Sequence, residues 1–120
     1  MWWGDTVVID MRRSASVDIV RPNGRLALGD GVDQFREAIE GIMAGGSNQI
    51  VLNLAEVPMI DSSGIGALVR FQTALRQRGG AIKLVSPSKI AVLCLRTTGV
   101  FNLFECYDDE AGALQAFGSA

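Results

Sequence analysis

An aspartate followed by two serines, Asp61-Ser62-Ser63, is the segment of this sequence whose residue types and spacing could do chemistry. It stands at the start of an apolar pattern with helical spacing, where Asp61 and Ser62 could accept hydrogen bonds from the unpaired amides of the first turn. A helix cap is therefore the simplest interpretation of these side chains. The same amides and the positive end of the helix dipole would also stabilise a phosphate on a first-turn serine, by about 0.3 to 1 kcal/mol. The segment thus predicts either a cap alone or a cap that carries a modification site.

Two glycines, Gly64 and Gly66, follow the serines within the first turns of the same predicted helix. Each glycine costs a helix interior about 1 kcal/mol relative to alanine, and a cap needs neither of them. We expect them to leave a surface without side chains, over which another backbone or a nucleotide could approach Ser62 and Ser63. Gly64-Ile65-Gly66 by itself is not a nucleotide-binding fingerprint, because neither the full glycine pattern nor a following lysine is present.

The sequence contains no histidine, which limits the reactions that it could catalyse. A Ser-His-Asp or Cys-His pair, a histidine base and a histidine-ligated metal are excluded within this chain, although chemistry by carboxylates or lysine alone stays open. The nearby base for Ser62 is Asp61, and an adjacent residue is better placed to cap the helix than to activate the hydroxyl. Cys94 and Cys106 are too few for a zinc site and are predicted to be small buried hydrophobes. We therefore expect a binding protein and not an enzyme, with no catalytic residue, no metal and no cofactor.

Charge and hydropathy restrict the partners of the chain. Eleven Lys and Arg against thirteen Asp and Glu leave a net charge of −2 and a pI near 5.0. A chain with this balance lacks the basic surface that grips a phosphate backbone, so we expect no nucleic-acid partner. The longest stretch without charge, residues 41–55, contains four polar residues and is too short to span a bilayer, which predicts no direct membrane insertion. The first residues lack the basic end and apolar run of a secretory signal, and the predicted location is the cytoplasm.

Apolar periodicity predicts alternating strands and helices around the Asp61 segment. The predicted strands, β-branched or continuously apolar, are residues 6–11, 16–20, 50–54, 81–85 and 104–107. The predicted helices, with apolar residues three or four apart, are residues 32–43, 62–78, 87–98 and 108–117. Residues 12–15 would turn the first hairpin, and residues 21–24 predict a turn or bulge before a strand continuation at Leu26 and Leu28. Ser86 is expected to cap the third helix, with Pro87 in its first turn.

This order of elements describes one α/β domain over residues 1–120, with a mixed β-sheet covered by about four helices. Strand 50–54 is almost continuously apolar and is predicted to be central. The Asp61 loop follows the carboxyl end of that strand, where open α/β sheets usually receive ligands and partners. A response-regulator receiver has the same size and class, but its phosphoacceptor would be an aspartate at the end of the central strand, where this chain has Asn53.

Residues 61–68, Asp-Ser-Ser-Gly-Ile-Gly-Ala-Leu, follow the apolar strand 50–54 and precede the segments 79–85, 86–88 and 98–101. In this combination they resemble the STAS domain of bacterial anti-sigma factor antagonists, over nearly the whole chain. The resemblance implies a STAS-like fold, with Ser62 as the phosphoacceptor. It also implies a partner-binding surface at the start of the second helix, made by Asp61, Ser62, Ser63, Gly64, Ile65 and Gly66.

The resemblance further implies a partner-switching function. The unphosphorylated chain would bind an anti-sigma factor that is also a serine kinase, which frees a sigma factor. Phosphorylation would end that binding, and a separate serine phosphatase would restore it. Family members often carry an acidic residue where this chain has Ala27, and Asp30 and Asp33 are the acids that could serve instead. The alternative is a STAS scaffold, or a small soluble subunit of a signalling complex or lipid transporter, without a sigma-factor role.

Overall fold

The computed structural model describes residues 7–27 and 29–118 of the chain. Within them, strands and helices follow the predicted order. The strands are β1 Val8–Ser14, β2 Val17–Asn23, β3 Gln49–Asn53, β4 Ala81–Val85 and β5 Glu105–Tyr107. The helices are α1 Asp30–Ala44, α2 Ser62–Gln77, α3 Lys89–Thr97 and α4 Glu110–Ala116, with a short 3-10 helix, Phe101–Leu103, before β5.

The strands form one mixed sheet in the order β1-β2-β3-β4-β5. β1 is antiparallel to β2, and the other neighbouring pairs are parallel. β3 therefore lies in the middle of the sheet, which confirms the prediction of a central apolar strand. The α/β class with a mixed sheet and four helices is confirmed as well.

Side chains of β3 are buried on both faces of the sheet. Ile50 and Leu52 belong to the larger core cluster, which is packed against α1, α2 and α3. Val51 points to the opposite face and packs in a smaller cluster with Ala113 of α4. Successive strand residues alternate between faces, so a strand covered on both sides must be apolar throughout. The layer of three helices is the one that carries the Asp61 loop.

The first hairpin differs from the prediction in its turn and in its length. The turn lies at Ala15 and Ser16. The predicted turn, residues 12–15, was therefore right for Ala15 and wrong for residues 12–14, which belong to β1. Pro22 lies inside β2 opposite Ile9, so the prediction of a turn or bulge across residues 21–24 was wrong for its first three residues. The reason is that β2 pairs with β3 only through Asp18 to Val20, so the missing amide of Pro22 interrupts no ladder on that side.

After β2 the chain continues as an extended segment with one short pairing. Gly24 has a φ of 131° and bends the backbone. Of the turn predicted at residues 21–24, the change of direction is thus found at the last residue. Leu26 then forms an isolated parallel bridge with Ile60 in the loop before α2. The strand continuation predicted at Leu26 is therefore reduced to a single bridge, and Leu28 lies outside the described residues.

The third helix begins later than predicted. Its N-cap is Ser88, whose side chain accepts a hydrogen bond from the amide of Ala91, and not Ser86. Ser86 has a φ of 51°, and its hydroxyl donates to the carbonyl of Asp108 at 2.8 Å. The Ser86 amide donates to the carbonyl of Tyr107, the last residue of β5. Because its amide and its hydroxyl both bond to the end of β5 and the residue after it, Ser86 ties the ends of β4 and β5 together and leaves the cap to Ser88. Within the described residues, no helix is long and apolar enough to cross a membrane.

Candidate functional site

The first turn of α2 is capped by Asp61, as the sequence predicts. Asp61 has an extended backbone, and its Oδ1 accepts a hydrogen bond from the amide of Gly64 at 3.0 Å. The same Oδ1 accepts a hydrogen bond from the hydroxyl of Ser63 at 2.6 Å. The carboxylate thus satisfies one of the unpaired amides of the helix start and orients the Ser63 side chain.

Ser62 and Ser63 are adjacent in sequence but differ in environment. Ser62 is the first residue of α2, and its side chain is exposed to solvent. Within the described parts of the chain, its hydroxyl forms no hydrogen bond. Ser63 is half-buried, and its hydroxyl is held by Asp61. The geometry therefore leaves one serine available to a second molecule and commits the other to the helix cap.

The loop before α2 is held by the segment that follows β2. The amide of Leu26 donates to the carbonyl of Met59, and the amide of Asp61 donates to the carbonyl of Leu26, both at 3.1 Å. Since Leu26 and Ile60 are fully buried, this double connection fixes the position of the Asp61 cap relative to the sheet. The start of α2 is consequently anchored to the segment that follows β2 by two backbone hydrogen bonds.

Gly64 is required by this close approach of two backbone segments. A Cβ at position 64 would lie 2.4 Å from the carbonyl oxygen of Leu26 and 2.8 Å from Cγ2 of Ile60. Gly64 is buried, so the backbone that approaches it is the chain's own, and the expectation of an open surface at this glycine was wrong. Gly66 differs, because among the described residues a Cβ there would meet Arg70 alone, with Nη1 at 3.5 Å.

An apolar cleft of about 270 Å³ opens beside Ser62, between the start of α2 and the second half of α3. We call it the α2–α3 groove. Its lining is formed by Ile60, Asp61, Ser62, Ile65, Leu93, Cys94, Thr97 and Thr98. The groove thus joins the predicted partner-binding segment to α3, which the sequence did not connect with it.

The groove corrects the predicted burial of Cys94 on α3. Ala91 and Leu95 are buried in the core, while Ile90 and Leu93 are exposed by 57% and 63%. Cys94 is half-buried at the groove and was predicted to be fully buried. The sequence of α3 indicates this arrangement, because its apolar residues lie on more than one side of the helix. Such a pattern is typical of a helix that packs against the core on one side and against a second apolar surface on another.

Cys106 was also predicted to be buried, and the structure shows it exposed on β5. β5 is an edge strand of only three residues, so the side of Cys106 that faces away from β4 is left open. Packing of its other side still raises the pKa of the Cys106 thiol, which reduces its thiolate fraction and its reactivity.

The six predicted partner-binding residues lie at the N-cap and in the first turns of α2, and they differ in exposure. Ser62 is exposed, Asp61, Ser63 and Gly66 are half-buried, and Gly64 and Ile65 are buried. A partner at this turn would meet Ser62 first and reach Ile65 only through the α2–α3 groove.

Ala27, the position where the sequence analysis notes a missing acidic residue, lies next to the same loop. Ala27 directly follows Leu26, and its carbonyl accepts the amide of Val32 at 3.2 Å, which leads the chain into α1. Asp33 is exposed on α1 and forms an ion pair with Arg36 at 3.8 Å. The Asp33 carboxylate is therefore already engaged by a neighbour on its own helix.

The described residues contain no group of three or more acidic or cysteine side chains that could hold a metal ion. The site consists of a capped helix start, a free hydroxyl and an apolar groove. Such an arrangement can bind a protein segment and accept a modification.

Comparisons with known proteins agree with this interpretation. A sequence model of the STAS domain matches residues 8–113 of the chain. The chain is 28% identical over 106 residues to the anti-sigma F factor antagonist of Paenibacillus polymyxa, covering 88% of this chain and 91% of that relative. These matches define a class of regulatory binding proteins. The chain belongs to the STAS domain family.

Solved structures show the same fold. A crystal structure from Thermotoga maritima, described as a candidate anti-sigma factor antagonist, is similar with a TM-score of 0.83 and 26% identity, covering 90% of this chain and 92% of that chain. The unphosphorylated form of SpoIIAA, an anti-sigma factor antagonist of Bacillus, is similar with a TM-score of 0.77 and 20% identity, covering 94% and 99%. SpoIIAA has also been solved in a phosphorylated form. The family predicted from the sequence is thereby confirmed.

Proposed function

We propose that this chain is an anti-sigma factor antagonist whose binding to an anti-sigma factor with serine kinase activity is controlled by phosphorylation of Ser62. The observation that carries the proposal is the free, exposed hydroxyl of Ser62 at the first position of α2. The names of the relatives support the anti-sigma factor as partner. In this function the chain acts by binding and not by catalysis, and it works in the cytoplasm, where sigma factors meet RNA polymerase.

The choice of Ser62 over Ser63 follows from their hydrogen bonds. A kinase must reach the hydroxyl and deprotonate it during transfer, which an exposed side chain without an internal acceptor permits. Ser63 would first have to give up its 2.6 Å hydrogen bond to Asp61, and a phosphate there would lie against the carboxylate of the cap. Two negative groups at that distance repel each other strongly.

A phosphate on Ser62 would be tolerated by the free domain. It adds a charge of about −1.5 to −2, and the first-turn amides and the positive end of the α2 dipole favour negative charge at this position. In a complex the same phosphate must lose solvent or meet groups of the partner. The penalty therefore falls on the complex, and a loss of about 3 kcal/mol would weaken binding about a hundredfold. A separate serine phosphatase would reverse the modification.

The partner is identified by affinity purification of the tagged chain from cells of its source organism, followed by mass spectrometry. We expect an anti-sigma factor with a serine kinase domain. The chain is then incubated with that purified kinase, magnesium and ATP, and the phosphorylated residue is located by peptide mass spectrometry. We expect phosphate on Ser62, none in Ser62→Ala, and retained phosphorylation in Ser63→Ala.

Affinity and melting temperature of the Ser62 variants together distinguish control of binding by phosphorylation from a loss of folding. Ser62→Ala should bind the anti-sigma factor like the unmodified chain, and Ser62→Asp should bind about a hundredfold more weakly at an unchanged melting temperature. Phosphate on Ser63 alone, or full binding by Ser62→Asp, would show that the switch residue is misassigned. Turnover of ester or nucleotide substrates that disappears in Ser62→Ala would instead indicate an enzyme.

A further inference from the structure

Two of the polar side chains that line the α2–α3 groove, Asp61 and Thr98, are engaged in hydrogen bonds within the chain. The hydroxyl of Thr98 donates to the carbonyl of Cys94 at 2.8 Å, and Oδ1 of Asp61 accepts the Ser63 hydroxyl and the Gly64 amide. No lysine or arginine lines the groove. An anionic ligand would lose its water there without gaining a counter-charge, and the apolar part of the lining suits an apolar group.

The open shape of the groove favours a side chain over a small-molecule ligand. Ligand pockets usually measure about 300 to 1,000 Å³ and enclose most of the ligand. The α2–α3 groove, at about 270 Å³, lies near the lower end of that range and is open to solvent at Ser62. It can take up one bulky aliphatic or aromatic side chain.

The rim of the groove continues its apolar surface onto α3. Leu93 lines the groove and is exposed by 63%, and Ile90, one turn earlier, is exposed by 57%. Exposed apolar residues next to a cleft are typical of a protein-binding surface. Because Ser62 is part of the same lining, the surface is continuous with the residue proposed to control partner binding.

We propose that the α2–α3 groove is the docking site for one bulky apolar side chain of the anti-sigma factor, and that phosphate on Ser62 acts by keeping this groove hydrated. The proposal rests on the function proposed above and adds the site through which it works. A phosphate at the rim holds water that an incoming apolar side chain must displace. The modification thus weakens binding without any change in the fold of the free domain.

The first test replaces an exposed apolar residue inside the docking site and a matched one outside it. Leu93→Gln changes the groove, whereas Met11→Gln changes a residue that is 55% exposed on β1, the edge strand at the far end of the sheet from β5. Affinity for the anti-sigma factor kinase is measured by isothermal titration calorimetry. We expect Leu93→Gln to bind at least tenfold more weakly and Met11→Gln to bind within twofold of the unmodified chain.

The second test uses Cys94 as a reporter within the groove. In the Cys106→Ser variant, Cys94 is the remaining thiol, and its labelling rate with N-ethylmaleimide is followed by mass spectrometry. Excess anti-sigma factor should slow labelling at least tenfold. Labelling carried out before mixing should block binding, because the adduct fills the groove.

The results of these tests distinguish a failure of the docking proposal from a failure of the proposed function. If the chain binds its anti-sigma factor and Ser62 is phosphorylated, yet Leu93→Gln binds normally and Cys94 is labelled equally fast in the complex, the groove is not the docking site. If the unmodified chain does not bind the anti-sigma factor, both proposals fail. If the chain is a dimer in solution that Leu93→Gln dissociates, a second copy occupies the groove, and the docking proposal is overturned.

Discussion

The hydroxyl of Ser63 donates a 2.6 Å hydrogen bond to the carboxylate of Asp61, and this contact distinguishes two neighbouring serines. Ser63 becomes part of the helix cap, while Ser62, one position earlier, is exposed with a free hydroxyl among the described residues. The cap therefore defines which hydroxyl a second protein can reach. It also makes the stability of α2 and the orientation of the Ser63 side chain depend on the same carboxylate.

Removing the carboxylate of the cap should destabilise the domain. We expect Asp61→Ala to lower the free energy of unfolding by about 1 kcal/mol, because the Gly64 amide loses its acceptor. Asp61→Asn, which keeps a capping oxygen, should retain most of the stability. Urea unfolding followed by circular dichroism measures both variants, and equal losses would mean that the capping bond contributes little.

The two glycines of α2 should respond in opposite directions to alanine. Gly64→Ala pushes a Cβ into the Leu26 carbonyl and should lower the free energy of unfolding by about 1 to 3 kcal/mol. Gly66→Ala meets only the flexible end of Arg70 at 3.5 Å and should raise that free energy by up to about 1 kcal/mol through helix propensity. Thermal and urea unfolding of the pair provide the comparison. A stabilised Gly64→Ala would contradict the packing described for Leu26.

An ion pair between Lys83 of β4 and Glu105 of β5 should make the stability of the fold depend on pH. Oε1 of Glu105 accepts a hydrogen bond from Lys83 at 2.5 Å and one from the Tyr107 hydroxyl at 2.6 Å. The hydrogen bond from Lys83, then that from Tyr107, lowers the pKa of Glu105 from its ordinary value of 4.5. A carboxyl whose pKa is lower in the folded state stabilises the fold above its unfolded pKa, and this contribution is lost as the pH falls through the folded pKa.

The Glu105→Gln variant tests this dependence. We expect it to be less stable than the unmodified chain at neutral pH and equally stable once the pH is below the folded pKa of Glu105. Glu37→Gln makes the same substitution at an exposed position of α1 and serves as the control. Urea midpoints across the acid range measure the effect. A constant difference at every pH would mean that ionisation of Glu105 does not contribute.

The central strand should be the part of the sheet least tolerant of truncation. Leu52 is fully buried between the sheet and the helices, so Leu52→Ala should cost about 2 to 5 kcal/mol through lost burial and a residual cavity. Met11→Ala, at an exposed position of an edge strand, should change the free energy of unfolding by about 0.5 kcal/mol or less. Chemical denaturation compares the two, and similar losses would be inconsistent with the observed strand order.

The predictions that succeeded from sequence rest on local physical rules. The apolar run of β3 identified the central strand, because only a strand covered on both faces needs apolar residues at every position. Asp61 was identified as a cap because capping involves a side chain and amides three residues away. The predictions that failed involve contacts across the fold. Pro22 is tolerated in β2 because β3 does not pair with that part of the strand, which no local pattern reveals.

The sequence by itself determined the element order, the STAS family and the segment that holds the candidate site. Periodicity and capping signals act within a few residues, and they leave their pattern directly in the chain. The tertiary structure decided that Gly64 serves a backbone approach by Leu26, that Ser62 is the free serine, and that Leu93 faces outwards. The α2–α3 groove exists only because two helices distant in sequence pack on one face of the sheet. Its shape and apolar character follow from that packing, which local sequence patterns do not encode.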